Sequence, residues 1–62
     1  MGKELTQLIG QIVDIVMSDG ATTRLGRKLE KIDGNRIYFS FKGQEEVLTL
    51  EEIDGIYPSD DD

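Results

Sequence analysis

From Arg36 to Lys42 apolar and polar residues alternate one by one, with Ile37, Phe39 and Phe41 on one side and Tyr38, Ser40 and Lys42 on the other. A period of two is that of a half-buried strand, and this is the clearest strand in the chain. Upstream, Leu5, Leu8 and Ile9 fall at i, i+3 and i+4, which predicts a short helix over residues 3–9 that Gly10 interrupts. From Gln11 to Met17 the density of β-branched residues (Ile12, Val13, Ile15, Val16) predicts a strand with Val13, Ile15 and Met17 on one face. Leu5, Leu8, Ile9, Ile12 and Val16 also keep helical spacing, so one helix over residues 3–17 stands as the rival reading.

Ser18-Asp19-Gly20 reads as a turn, because Asp-Gly supplies the positive φ of a tight hairpin. Between Thr22 and Ile32, Leu25, Leu29 and Ile32 again have helical spacing, but Gly26 lies inside and Asp33-Gly34-Asn35 follows as a second turn. The stretch is read as a strand that bends or bulges at Gly26. Gly43-Gln44 is the next expected turn and Glu46 to Leu50 the next strand. One helical turn over Glu51-Glu52-Ile53-Asp54 leads to a closing strand, Gly55 to Tyr57, which Pro58 ends. The pattern thus predicts a mainly β chain: a short N-terminal helix, then five short strands curled into a strongly bent small barrel. Residues 1–58 form its single domain and Ser59 to Asp62 an acidic flexible tail. The expected core is Val13, Ile15, Leu29, Ile37, Phe39, Phe41, Leu48, Leu50, Ile53 and Ile56.

Size and composition add a constraint. A chain of 62 residues has little core to spare, and with neither cysteine nor histidine it has no disulfide and none of the usual zinc ligands. Self-association is the remaining common remedy. The apolar-rich stretch from Leu8 to Met17 is broken by Gly10, Gln11 and Asp14, too short and polar to cross a bilayer, and no signal-peptide core follows Met1-Gly2-Lys3-Glu4. A cytoplasmic location without membrane partners is the expectation.

Charge is segregated. The net charge of −6 conceals a basic middle, with Arg24, Arg27, Lys28, Lys31, Arg36 and Lys42 against Glu30 and Asp33. It also conceals an acidic end, in which Glu45, Glu46, Glu51, Glu52, Asp54 and Asp60 to Asp62 stand unopposed. Flanking the Asp33-Gly34-Asn35 turn, Arg24, Arg27, Lys28, Lys31 and Arg36 are candidate contacts to a nucleic-acid backbone, with Tyr38 as a stacking ring. An ordinary solvated hairpin whose cations protect a sheet edge is the leading reading of the same residues, and a protein partner is a further one.

For catalysis the chain lacks histidine and cysteine, the usual base and thiol nucleophile. Glu45/Glu46 and Glu51/Glu52 are adjacent in sequence, so on a strand their carboxylates point to opposite faces and do not form a shared site. No glycine-rich phosphate loop is present. No enzymatic activity, metal or cofactor is expected.

The order of parts resembles the Sm-like family, which includes Sm proteins and bacterial Hfq. Leu8-Ile9-Gly10-Gln11-Ile12-Val13-Asp14-Ile15-Val16-Met17-Ser18-Asp19-Gly20 is similar to the end of that family's helix, its first strand and its Asp-Gly turn. Gly26 with Leu29, Ile32 and Asp33 resembles its bent second strand, and Leu48 to Tyr57 its fourth strand, short turn and fifth strand. The resemblance implies an SH3-like/Sm-like barrel and a homo-oligomeric ring joined through fourth and fifth strands, here Glu46–Leu50 and Gly55–Tyr57. It further implies single-stranded RNA as partner, with Asn35, Arg36, Arg24, Arg27, Lys28 and Lys31 as candidate contacts. Two motifs depart from the family: Asn35 follows Asp33 too closely, and Glu51-Glu52 occupies the loop where Arg-Gly or Lys-His is usual. The alternative is therefore a non-catalytic protein-interaction or assembly module with an SH3-like barrel and no nucleic acid.

Overall fold

In a computed structural model, residues 2–59 are described, with side chains from Leu5 onward. A short helix α1 (Gly2–Gln7) precedes β1 (Ile12–Met17), β2 (Thr23–Asp33), β3 (Arg36–Phe41) and β4 (Gln44–Thr49). A 3-10 turn (Leu50–Glu52) then leads into β5 (Ile53–Pro58). The helix ends before Gly10, whose φ of +90° is left-handed, and the β-branched run beyond it is extended. The rival single helix to residue 17 is thus excluded.

All five strands lie in one antiparallel sheet of order β4-β3-β2-β1-β5. Three hairpins form consecutively, and the 3-10 turn carries the chain across to the far side of β1. Two backbone bonds anchor that crossing, from Leu50 N–H to Asn35 C=O (2.8 Å) and from Ser18 N–H to Glu52 C=O (2.9 Å). β4 and β5 are left as the outer strands, each with a ladder on one side only.

Strand β2 explains its own helical-looking spacing. Arg27 faces Val13 and Arg24 faces Ile15, so Leu25 and Gly26 together stand opposite Asp14, a bulge. Gly26 adopts φ +71° there, and its N–H donates to Asp14 Oδ1 at 3.0 Å. A second bulge places Glu30 between the Leu29–Phe39 and Lys31–Tyr38 pairs. Each bulge inserts one residue into an alternation of two, so Arg24 and Arg27, and then Leu29 and Ile32, share a face at spacing three. The bend at Gly26 is as the sequence predicts, and Leu25, the outlier, is 59% exposed.

The core is one cluster of Val13, Ile15, Met17, Leu29, Ile37, Phe39 and Leu48, with Leu5, Leu8, Ile32, Ile53 and Ile56 packed against it. Strands β1 to β4 all contribute to that cluster, so the core lies on one face of the sheet. Four expected core residues are less enclosed. Phe41, Ile53 and Ile56 are half-buried, and Leu50 is 43% exposed because the 3-10 turn lifts it off the end of β4.

Turn positions also shift. The β3–β4 connection is Lys42-Gly43, not Gly43-Gln44: both residues have positive φ (54° and 80°), the signature of a two-residue type I′ hairpin. The helical turn is Leu50–Glu52, and Ile53 and Asp54 already belong to β5. Ser59 N–H donates to Ile12 C=O at 3.0 Å and extends the ladder past Pro58. Of the expected tail, residues 60–62 lie outside the described residues.

Candidate functional site

The basic residues of the middle segment are divided by the bulges into two groups on opposite faces of the sheet. Arg24 and Arg27 lie opposite the buried Ile15 and Val13, and directly paired residues project to the same face, so both arginines are on the inner face. Glu46 reaches them from β4, because its partner Phe39 is also an inner residue. Its Oε1 is 3.4 Å from Arg27 Nε and 3.6 Å from Arg24 Nη1. Arg27 also donates from Nη1 to Leu25 C=O (2.8 Å), and its guanidinium stacks 3.8 Å above the Phe41 ring. Its side chain is only 15% exposed. This cluster closes one end of the core and ties β2 to β4 across β3. Both arginines thus contact Glu46 on the inner face, Arg27 the more enclosed of the two.

Lys28, Lys31 and Arg36 occupy the other face. On β3, Arg36 and the lysines' partners Tyr38 and Ser40 alternate with the inward Ile37 and Phe39, which places the group on the outside of β2 and β3. Lys31 Nζ lies 4.8 Å from the Tyr38 ring centroid, a cation–π contact that covers one face of the only outward aromatic on β3. Acids are interspersed among them. Glu30 accepts a hydrogen bond from Ser40 Oγ, and Glu45 lies beside Ser40 on β4. Asn35 sits in the two-residue turn before β3, where its carbonyl serves as the acceptor for Leu50. Of the six candidate RNA contacts, then, Lys28, Lys31, Arg36 and Asn35 lie on the outer side, while Arg24, 36% exposed, and Arg27, 15% exposed, lie on the inner one beside Glu46.

The acidic pairs form no common site. Glu45 and Glu46 point to opposite faces, and Glu52 Oε1 accepts from the Thr49 backbone N–H at 3.0 Å, capping the 3-10 turn. Among the described residues, no three His, Cys, Asp or Glu side chains converge on a point where an ion would sit. Among the described residues, Asp19 accepts the most side-chain hydrogen bonds of any carboxylate. The Thr22 hydroxyl, then the Ala21 and Thr22 backbone N–H groups, hold it below the usual aspartate value, with a smaller contribution from Arg24. That arrangement is the internal lock of the β1–β2 turn.

Two features were not singled out from the sequence. One is an open groove of about 270 Å³ between α1 and β5, lined by Leu5, Leu8, Leu50, Ile53 and Ile56 with Asp54 and Gly55. The other is the contrast between the two outer strands. Leu50 N–H bonds to Asn35 C=O, and the Lys42-Gly43 hairpin closes on the Phe41–Gln44 pair, so Gln44, Glu46 and Leu48 point their backbone groups toward β3. The groups of Glu45, Val47 and Thr49 therefore point outward, along a strand with no proline and no bulge. On β5, the Ser59 to Ile12 bond fixes the opposite phase: Gly55 and Tyr57 bond to β1, while Asp54, Ile56 and Pro58 face out. There the register breaks at Asp54, and Pro58 has no N–H to offer, so Ile56 alone retains both groups in regular strand.

No helix of the described residues is long and apolar enough to cross a membrane. No family model matches the chain, and neither a curated protein nor a solved structure matches it.

Proposed function

We propose that this chain is a non-catalytic, Sm-like β module whose function is assembly, and that it associates with copies of itself through the outer strands of its sheet. The carrying observation is the β4 edge: a regular six-residue strand whose outward backbone groups at Glu45 and Val47 have no partner strand, with Val47 exposed beside them. An edge of this kind is a template for another strand, and soluble proteins usually blunt it. The absence of cysteine and histidine, and the dispersed carboxylates, support the non-catalytic part of the reading.

The test is molecular mass by sedimentation near micromolar concentration in moderate salt. An oligomer is expected for the native chain, and a folded monomer for Val47→Pro. Proline removes the outward N–H of Val47 and no bond to β3, so the variant keeps its ladder. A native chain that sediments as a monomer throughout would refute self-assembly.

One observation favours a second reading, binding of single-stranded RNA: Lys28, Lys31 and Arg36 share the outer face with Tyr38. Phosphate contacts give an affinity that falls steeply with salt. On this reading Lys31→Gln weakens binding of oligo(U), whereas Arg27→Gln lowers stability and leaves the affinity unchanged. Absence of any salt-dependent shift with oligo(U) or oligo(A) removes it.

A further inference from the structure

Resting on the assembly reading, we infer that the partner of β4 is β4 of a second copy, related by a two-fold axis through Val47. The candidates for strand addition are β4 and β5, and they are unequal. β5 is interrupted at Asp54 and ended by Pro58, so a strand laid against it finds one residue, Ile56, with both groups free. β4 has Glu45 and Val47 with both groups free, and Thr49 with a free carbonyl because Glu52 already takes its N–H. Continuous pairing is therefore available at β4 alone.

Register follows from side chains. Antiparallel pairing about Val47 sets Val47 against Val47 of the second copy, Glu45 against its Thr49, and Glu46 against its Leu48. Centring on Glu45 or Glu46 instead sets like charges directly opposite, which is unfavourable. The Val47 register exchanges two hydrogen bonds at Val47 and adds one from each Glu45 N–H to the opposing Thr49 carbonyl. Each of these uses a group that now faces water.

Both faces of the joined sheet then match. On the outside, Tyr38 lies beside Val47 in each copy, so the seam carries the row Tyr38, Val47, Val47, Tyr38. This covers a side chain that is 48% exposed in the single chain. One row away, Arg36 flanks Thr49, so the Glu45 of one copy lies across a threonine from the Arg36 of the other. The two backbones are then two strand spacings, about 10 Å, apart, a gap that two long side chains extended toward each other span. Arg36 and Glu45 are both exposed and form no ion pair within the chain among the described residues. The product is a closed, two-fold dimer with a ten-stranded continuous sheet.

Because the chain has no cysteine, single thiols report the geometry directly. Val47→Cys is expected to form a disulfide-linked dimer under mild oxidation, since a hydrogen-bonded pair in an antiparallel ladder sits about 5.5 Å apart at Cα, within disulfide reach. Ile56→Cys, on β5, is expected to remain unlinked. Arg36→Glu should weaken the dimer about tenfold and Glu45→Arg similarly, while the double exchange restores it. A monomer at all concentrations overturns the assembly reading and this inference together. An oligomer that cross-links only when cysteines at Val47 and Ile56 are mixed overturns the two-fold β4 seam and leaves assembly standing. Failure of the double exchange to recover either single loss overturns the Glu45–Arg36 contact.

Discussion

Replacing Gly26 tests the central geometric claim, that a left-handed residue sets the bend in β2. At Gly26 φ is +71°, and a Cβ built there meets nothing within 4 Å. The cost of L-alanine is therefore conformational and not steric. A left-handed L-residue costs about 1–2 kcal/mol, and the loss of glycine's freedom in the unfolded chain returns about 0.4–1 kcal/mol. The net expectation for Gly26→Ala is a destabilisation of about 0.5–1.5 kcal/mol. For a domain of this size each kcal/mol lowers Tm by about 4–8 °C, which thermal or urea melts followed by circular dichroism resolve. Asparagine enters the left-handed region more readily, so Gly26→Asn should cost less than alanine. A chain of 62 residues is accessible to chemical synthesis, which permits the sharpest version. D-alanine favours this φ, so it should stabilise by restricting the unfolded chain alone. Asp14→Ala removes the acceptor for the Gly26 N–H, at about 0.5–1.5 kcal/mol, and should be non-additive with Gly26→Ala because both loosen the same bulge. If L- and D-alanine have the same effect, the bend does not depend on the hand of residue 26.

Two further outcomes are expected. Lys42 is the one non-glycine residue with positive φ among those described, in a type I′ turn for which Asn-Gly is preferred, so Lys42→Asn should raise stability by about 0.5–1 kcal/mol in a denaturant melt. Asp19 has a depressed folded pKa, so its contribution is complete above the unfolded aspartate value and is lost as pH falls through the folded one. Asp19→Asn, which keeps an acceptor for the Ala21 and Thr22 N–H groups, should flatten the decline of stability below about pH 4.

Local signals in the sequence determined most of the secondary structure. The alternation through Ile37, Phe39 and Phe41 encodes β3, because side chains on a strand can only face one of two ways. Glycine at position 26 announced the bend, because few other residues take a left-handed φ cheaply. The density of β-branched residues after Gly10 decided strand over helix. What the tertiary structure alone decided is where the charges go. A plain alternation puts Arg24 and Arg27 on opposite faces; the bulge at Gly26 puts them on the same one. Their partner Glu46 arrives from a strand that is not adjacent to β2. No short window of the chain contains both bulges and the acid, so one basic segment becomes an inner cluster of two arginines and an outer row of three cations. The inequality of the two edges has the same origin. Which backbone groups face outward depends on the phase of hydrogen bonding with β3 and β1, and that phase exists only once the strands have paired.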